Sequence, residues 1–410
     1  GELIFEGEYL NGKRWNGKGK DFDNHGKLIF EGEYLNGKRN GKGKEFDFHG
    51  EVLFEGEFLN NKKWNGKIYD KNSNILYELN NGKGKLKEYC NGRVYEGDFL
   101  NGERNGKGIE YDVFGKKIFE GEYLNGKRNG IGEGKECPGE FLYKGEYMNG
   151  KKHGKGKEYW CNGKIWFEGE YLYDKKWNGK GYYENGDLIY ELINGSGKIK
   201  EYDSYTRLEF EGEYKNGERN GKGKKYDCCH YLIYEGDYLN DKKHGKGKEY
   251  DKDNLKFEGE YLKGERNGKG KEYNKEGNLI FEGEYLNNKR HGKGKEYNEN
   301  GLLIFEGEYL YGHRLRGKGY INKRLEYIGE YLYNIKYNGK GYDNNGIIMY
   351  ELINGTGKVK EYYDDGSLRF EGEYLNGKRK GKGIEYYRNG RYEVEYLNGK
   401  RNGKGKKYDK

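Results

Sequence analysis

One motif recurs along the chain and restricts its fold more than any other feature. The stretch from Phe30 to Phe46 reads FEGEYLNGKRNGKGKEF, Phe119 opens FEGEYLNGKRNG, and Phe281 opens FEGEYLNNKRHGKGKEY. Counted by the opening aromatic, from Phe5 and Phe30 on to Tyr392, there are 18 units in 410 residues, most of them 22 to 25 residues apart. A unit this short cannot enclose a core of its own, so neighbouring units must stack on one another.

Within a unit the pattern alternates. Phe30, Gly32 and Tyr34 interleave with Glu31, Glu33 and Leu35, the period of two that marks a strand. Asn36-Gly37 opens a turn region running to Gly41, because both residues accept positive φ. Lys42 to Phe46 reads as the return strand, and a second turn, Asn24-His25-Gly26 in one unit and Asn300-Gly301 in another, leads into the next unit. Each unit is thus a β-hairpin, marginal alone and stable once its edges pair.

Composition agrees. Leu, Ile, Val and Phe together number 75 of 410 residues, too few for an ordinary globular interior. Disordered chains are also poor in aliphatics, but they lack aromatics, and this chain is 16% aromatic with one proline. Alanine is absent while glycine numbers 73, which argues against helices. The expected core is a ladder of aromatic rings beside glycines, in an all-β, elongated solenoid of stacked hairpins forming a continuous twisted antiparallel sheet over residues 1–410. No apolar run approaches the roughly 20 residues that span a bilayer.

The aromatic-Glu-Gly-Glu-Tyr-Leu-Asn-Gly-Lys-Arg-Asn-Gly-Lys-Gly pattern resembles the MORN repeat (membrane occupation and recognition nexus). The resemblance extends from Phe5 to Tyr408 and departs from the family in its second aromatic, Tyr34, Tyr123 or Tyr285, where many members carry Trp. It implies a grooved β-sheet rod with scaffolding, membrane-apposing, cytoskeletal or partner-binding roles, and it does not imply an enzyme. A cytoplasmic, cytoskeletal, membrane-peripheral or virion setting is compatible with it.

Three units depart together: YELNNGKGKLKEY from Tyr77, YELINGSGKIKEY from Tyr190 and YELINGTGKVKEY from Tyr350. Each lacks the long turn and follows a unit containing Trp64, Trp177 or Tyr337, giving irregular regions near 64–89, 177–202 and 337–362. Two readings stand: a bend or lateral contact, and duplication of one shortened unit.

Catalytic chemistry finds little footing. The Gly-Lys-Gly-Lys string has the look of a phosphate loop, but a phosphate loop opens a helix, and here the string recurs in almost every unit. His153, His244 and His291 take the place of Asn40, and His25 and His49 sit in inter-unit turns. Cys90, Cys137, Cys161 and the adjacent pair Cys228-Cys229 show no CxxC spacing, so zinc is not indicated. No cofactor, metal or catalytic residue is assigned.

Charge patterning is more informative. Glu31 and Glu33 on the outgoing strand face Lys42 and Lys44 on the return strand, with each cross-strand pair contributing about 0.2–1 kcal/mol. The pattern reads either as a mutually neutralised surface or as a basic ribbon for acidic phospholipid or acidic protein. That ribbon comprises Lys38, Arg39, Lys42, Lys44, Lys127, Arg128, Lys289, Arg290, Lys293 and Lys295. A net charge of +8 over 410 residues is a weak footprint for nucleic acid. The two ends also fit each other. Joining them gives YDKGELIFEGEYL with the repeat period preserved. Either the array is longer than this sequence, or copies stack end to end through Leu3, Ile4 and Phe5 against Lys406 and Tyr408. The expected function is a non-enzymatic scaffold that associates with itself or with protein partners, with lipid-surface binding as the alternative.

Overall fold

The structure, a computed structural model, describes residues 3–47, 49–70, 72–90, 92–135, 142–203, 205–343, 345–363 and 365–409. Among them are 36 strands and no helix, joined in sequence as antiparallel hairpins. The chain divides into two compact units, Gly1–Arg207 and Leu208–Lys410. In the first, the strands from Phe5 to Leu192 form one sheet of 17 strands. In the second, the strands from Leu208 to Leu352 pair in order, followed by those from Gly357 to Asp409. The expected all-β array of hairpins is what forms. Cys137 and Pro138 lie outside the described residues.

The hairpin Leu28–Leu35/Lys38–Phe46 shows why this sequence folds so. Asn36 and Gly37 at its tip take φ of 53° and 72°, the left-handed geometry of a tight hairpin turn. Phe30 then pairs with Glu45, Glu31 with Lys44, Gly32 with Gly43, Tyr34 with Arg39 and Leu35 with Lys38. Alternation sends Phe30, Gly32, Tyr34, Arg39, Gly43 and Glu45 to one face and Glu31, Glu33, Leu35, Lys38, Lys42 and Lys44 to the other. On the first face the Phe30 ring lies flat across Gly32 and Gly43, wholly buried, where a Cβ on Gly43 would meet it at 2.8 Å. Tyr34 and the next unit's Phe58 meet that ring edge-on at 5.7 and 5.1 Å, the favoured aromatic geometry. In the second unit these contacts link Phe210, Tyr234, Phe257, Phe281, Phe305 and Tyr327 into one buried cluster.

The tips and inter-unit turns continue the ladder. Most tips donate a backbone bond to the tip region before them, such as Gly37 N–H to Trp15 O at 2.8 Å and Gly126 N–H to Arg104 O at 2.9 Å. Between units, Asp23 Oδ1 accepts the N–H groups of His25 and Lys27, an Asx turn that Asp47, Asp112, Asp227 and Asp343 repeat.

Register is where the units differ. In the hairpin just described, three residues lie between Arg39 and Gly43 while one lies between Tyr34 and Gly32, which leaves a bulge. Five hairpins carry one extra bulky residue there: Trp15, Trp64, Trp177, Leu315 or Tyr337. In these the bulge contracts by one and the first glycine of Gly-Lys-Gly meets the partner, as in Gly7–Gly17, Gly169–Gly179 and Gly329–Gly339. The insertion thus moves the inner register by two residues without turning the faces over.

The three shortened hairpins have a sharper cause. Where other units pair glycine with glycine, these hold Leu79 and Leu86, Leu192 and Ile199, and Leu352 and Val359, all nearly fully buried. Two aliphatic side chains cannot fit where two glycines met, so the strands splay. The ladder is reduced to Leu79–Gly84 and Asn80–Lys83 in the first, and to single bridges, Ile193–Ser196 and Ile353–Thr356, in the others. The edge-on ring contact changes with it: Tyr190 stacks near-parallel on Phe167, and Tyr350 on Tyr327.

Candidate functional site: the two faces of the hairpin ladder

The inner face carries an ionic ladder over the aromatic one. The Arg39 guanidinium sits 4.0 Å above the Phe30 ring and pairs with Asp21 of the preceding unit at 2.7 Å and Glu45 of its own at 2.9 Å. Arg266 and Arg290 repeat this over Phe257 and Phe281. In the second unit the chain Lys243, Glu249, Arg266, Glu272, Arg290, Glu296, Arg314 alternates sign without a break. Each interior acid is shared by two cations of adjacent hairpins, which satisfies more of its lone pairs than one partner could. Burial pushes the Glu249 carboxyl up, but Lys243 and Arg266 outweigh it and hold the group below its ordinary value. Glu158 is the extreme case: burial opposes ionisation, yet Lys176 and Lys152, each at 2.8 Å, bring it down to about 2.

This placement corrects the expected ribbon. Arg39, Arg128 and Arg290 do not belong to an exposed basic surface; they are folded onto the inner face, with Arg128 only 7% exposed. Their cations are desolvated over rings and matched by carboxylates, a contact surface lysines do not make. The alternation Arg39, Gly41, Gly43, Glu45 could have revealed this; treating residues 38 to 41 as turn hid it. Lys38, Lys42, Lys44, Lys127, Lys289, Lys293 and Lys295 lie together on the outer face.

The outer face is largely neutralised. Lys44 pairs with Glu55 at 3.1 Å, Lys157 with Glu168 at 3.0 Å and Lys222 with Asp237 at 2.6 Å. A row of tyrosines tightens it: Tyr226, Tyr250, Tyr273 and Tyr297 donate to Glu211, Glu235, Glu258 and Glu282 at 2.6 to 2.8 Å. Burial and the bond to Glu282 push the Tyr297 phenol up to about 12. The second glutamate of each unit has a role that composition did not suggest. Glu33 and Glu260 accept the bulge N–H of Lys42 and Lys269, each at 3.0 Å, and Glu8 and Glu57 accept the Asn16 and Asn65 amides where the bulge is contracted. A shallow depression on this face is lined by Lys144, Lys155, Lys157, Glu168 and Glu170.

At the tips the outer face changes character. Leu35, Leu124, Leu262 and Leu332 are 46 to 49% exposed, and Lys38 and Lys127 stand directly opposite Leu35 and Leu124. Of the residues expected at the ends, Phe5 is buried beneath Tyr9 and Tyr34. Leu3, Ile4, Lys406 and Tyr408 are exposed. His25 and His49 lie in exposed turns, whereas His153 and His291 contact the rings of Tyr173 and Tyr311. Among the described residues no group of three His, Cys, Asp or Glu is placed to hold a metal.

Ten stretches match the MORN repeat: residues 30–46, 95–113, 119–133, 143–165, 210–227, 234–256, 257–278, 281–302, 370–390 and 392–410. The chain belongs to the MORN-repeat family. The stretches outside the ten MORN matches hold the five hairpins with an inserted residue and the three shortened ones, and these continue the same sequence of hairpins. No curated protein matches the sequence. Two solved structures to which it is similar are described as the crystal structure of TcdB2-TccC3-Cdc42 and that of TcdB2-TccC3. Both are 10% identical over 92% of this chain, with TM-scores of 0.17 and 0.13. The chain spans 23% and 29% of their lengths, and a likeness this slight carries no argument.

Proposed function

We propose that this MORN-repeat chain is a non-catalytic scaffold that holds partners along its outer face and associates with copies of itself end to end. One observation carries the reading: the inner face is spent on the chain's own stability, while the outer face repeatedly offers an exposed Leu at the tip, in many hairpins with a Lys opposite it and in others with Glu265, His313 or Ile335 there. Repetition of a weak contact raises avidity without any single strong site. Self-association is proposed end to end, with Leu3, Ile4 and Phe5 of one copy meeting Lys406 and Tyr408 of another, a junction across which the repeat period is kept. Negative-stain microscopy and light scattering over a concentration series test this. Growth in mass that Ile4→Lys with Tyr408→Lys abolishes is the expected result, and a constant monomer mass overturns self-association.

A second reading is favoured by the pairing of an exposed Leu with a Lys at the tips, an amphipathic edge suited to an acidic lipid surface. Flotation with acidic vesicles at low salt is expected to carry the protein up, and Lys38→Glu with Lys127→Glu and Lys289→Glu to reduce that. Failure to float removes the lipid reading and leaves the protein scaffold standing.

A further inference from the structure

One feature of the second unit lies outside the repeat's own logic. The turn between the strands Glu218–Tyr226 and Leu232–Leu239 reads Asp227-Cys228-Cys229-His230-Tyr231. Asp227 Oδ1 accepts the N–H of Cys229 at 2.8 Å and of Tyr231 at 3.0 Å, so the backbone is fixed. Both thiols are exposed, and their Sγ atoms lie 3.9 Å apart.

Geometry chooses between two fates for such a pair. Adjacent residues across a trans peptide have Cα atoms about 3.8 Å apart, short of the roughly 4.4–6.8 Å a disulfide spans without strain, so direct bonding is disfavoured. A bridging atom fits instead. With metal–sulfur bonds of about 2.3 Å, two sulfurs at 3.9 Å subtend an angle of about 116° at a shared ion. That is close to trigonal. Zinc requires four ligands, and among the described residues no third His, Cys, Asp or Glu is grouped with them. A soft monovalent cation such as copper(I) is satisfied by two or three sulfurs and is selected by thiolates.

We infer that Cys228 and Cys229 form a bidentate dithiolate site for a soft thiophilic cation, of which copper(I) is the fitting case. Binding releases both thiol protons: two thiols and one cation give the anionic dithiolate complex and two protons. The third position is open to a small exogenous thiol. Because the turn is exposed and its backbone held by Asp227, the site forms without opening the sheet. It adds a metal-dependent point of attachment to a scaffold that is otherwise read through Leu, Lys and Glu.

The test uses the full chain, reduced and anaerobic, titrated with copper(I) against a chromophoric competing chelator. One equivalent is expected to be withdrawn by the native protein. Cys228→Ser and Cys229→Ser should each weaken that equivalent 100-fold or more, the advantage of chelation over a single thiol. Cys161→Ser, which removes another exposed thiol, should leave it unchanged. Far-ultraviolet circular dichroism confirms that each variant is folded. Phenylarsine oxide, which needs two neighbouring thiols, should likewise protect two thiols in the native protein and none in either variant at this pair. Copper(I) uptake unaltered by both serine variants, or reduced as much by Cys161→Ser, overturns the assignment.

Discussion

Replacing Gly294 with alanine isolates the ring-on-glycine contact that organises each MORN hairpin. Gly294 pairs with Gly283, and the Phe281 ring lies across both. A Cβ at Gly294 would stand 2.5 Å from Cζ of that ring and 2.7 Å from Cε2, where ordinary contact begins at 3.4 Å. The ring would have to retreat by about 0.9 Å, the difference between those two values. It has nowhere to go: Tyr285 and Tyr309 meet it edge-on at 5.5 and 5.1 Å, and Arg290 lies 4.2 Å above. Overpacking of this kind costs about 1–3 kcal/mol, and the absence of slack places Gly294→Ala near about 3 kcal/mol, a roughly 150-fold increase in local opening. Hydrogen exchange of the amides from 281 to 297 reads that opening directly, which matters because an array of repeats need not unfold in one step. Gly301→Ala is the control. Its φ is 72° and nothing lies within 4 Å, so only the left-handed backbone is taxed, at about 1–2 kcal/mol. Phe281→Leu removes Cζ and Cε2, the atoms that clash, so in that background the Gly294→Ala penalty should fall by about 2 kcal/mol. A penalty unchanged by Phe281→Leu, or no larger than that of Gly301→Ala, would refute the reasoning.

Other consequences are equally specific. The Glu158 carboxyl is held from its ordinary 4.5 down to about 2, which corresponds to about 3 kcal/mol of stability at neutral pH. A depressed carboxyl contributes fully above its unfolded value and loses that contribution as pH falls toward the folded one. The stability gap between native protein and Glu158→Gln, measured by urea unfolding, should therefore be full at pH 7 and close between about pH 4.5 and pH 2. Arg290→Ala strips a partner from both Glu272 and Glu296 and should raise local exchange there by about 2–3 kcal/mol. Its sequence neighbour Lys289→Ala, on the outer face, should stay within about 0.5 kcal/mol. Amides of Gly197–Tyr202, beside a ladder cut to one bridge, should exchange faster than those of Lys175–Tyr182, which pair along their length. Equal protection in the two segments would mean that the buried Leu192 and Ile199 do not open the hairpin.

The outer face explains why a modest net charge of +8 misleads when read as a ribbon. The lysines there neighbour carboxylates on adjoining strands, and tyrosine hydroxyls take up the remaining acid oxygens. What is left to face a partner is the row of tips, where an exposed Leu recurs, in many hairpins with a Lys opposite it. This is a surface suited to many weak contacts, and its strength should depend on how many hairpins engage at once.

Local features carried the parts of the fold that sequence alone determined. Hairpin period, strand alternation, Asn-Gly tips and Asp turns depend on neighbours within a few residues, and each is legible in Asp23, Asn36, Gly37 and the spacing of Phe30 from Tyr34. The register did not follow, because either glycine of Gly-Lys-Gly can meet the partner, and the choice rests on whether a residue such as Trp15 or Trp177 occupies the bulge. The splaying of three hairpins was written in Leu79, Leu192 and Leu352, but its meaning depends on Leu86, Ile199 and Val359 across the strand. The destination of Arg39 was settled only by tertiary structure. Its partner Asp21 is 18 residues away in the preceding unit, and a guanidinium leaves water only where ring, carboxylate and neighbouring strand converge. Short-range geometry fixes what each hairpin is; the packing of one hairpin on the next decides which of its charges remain for others to meet.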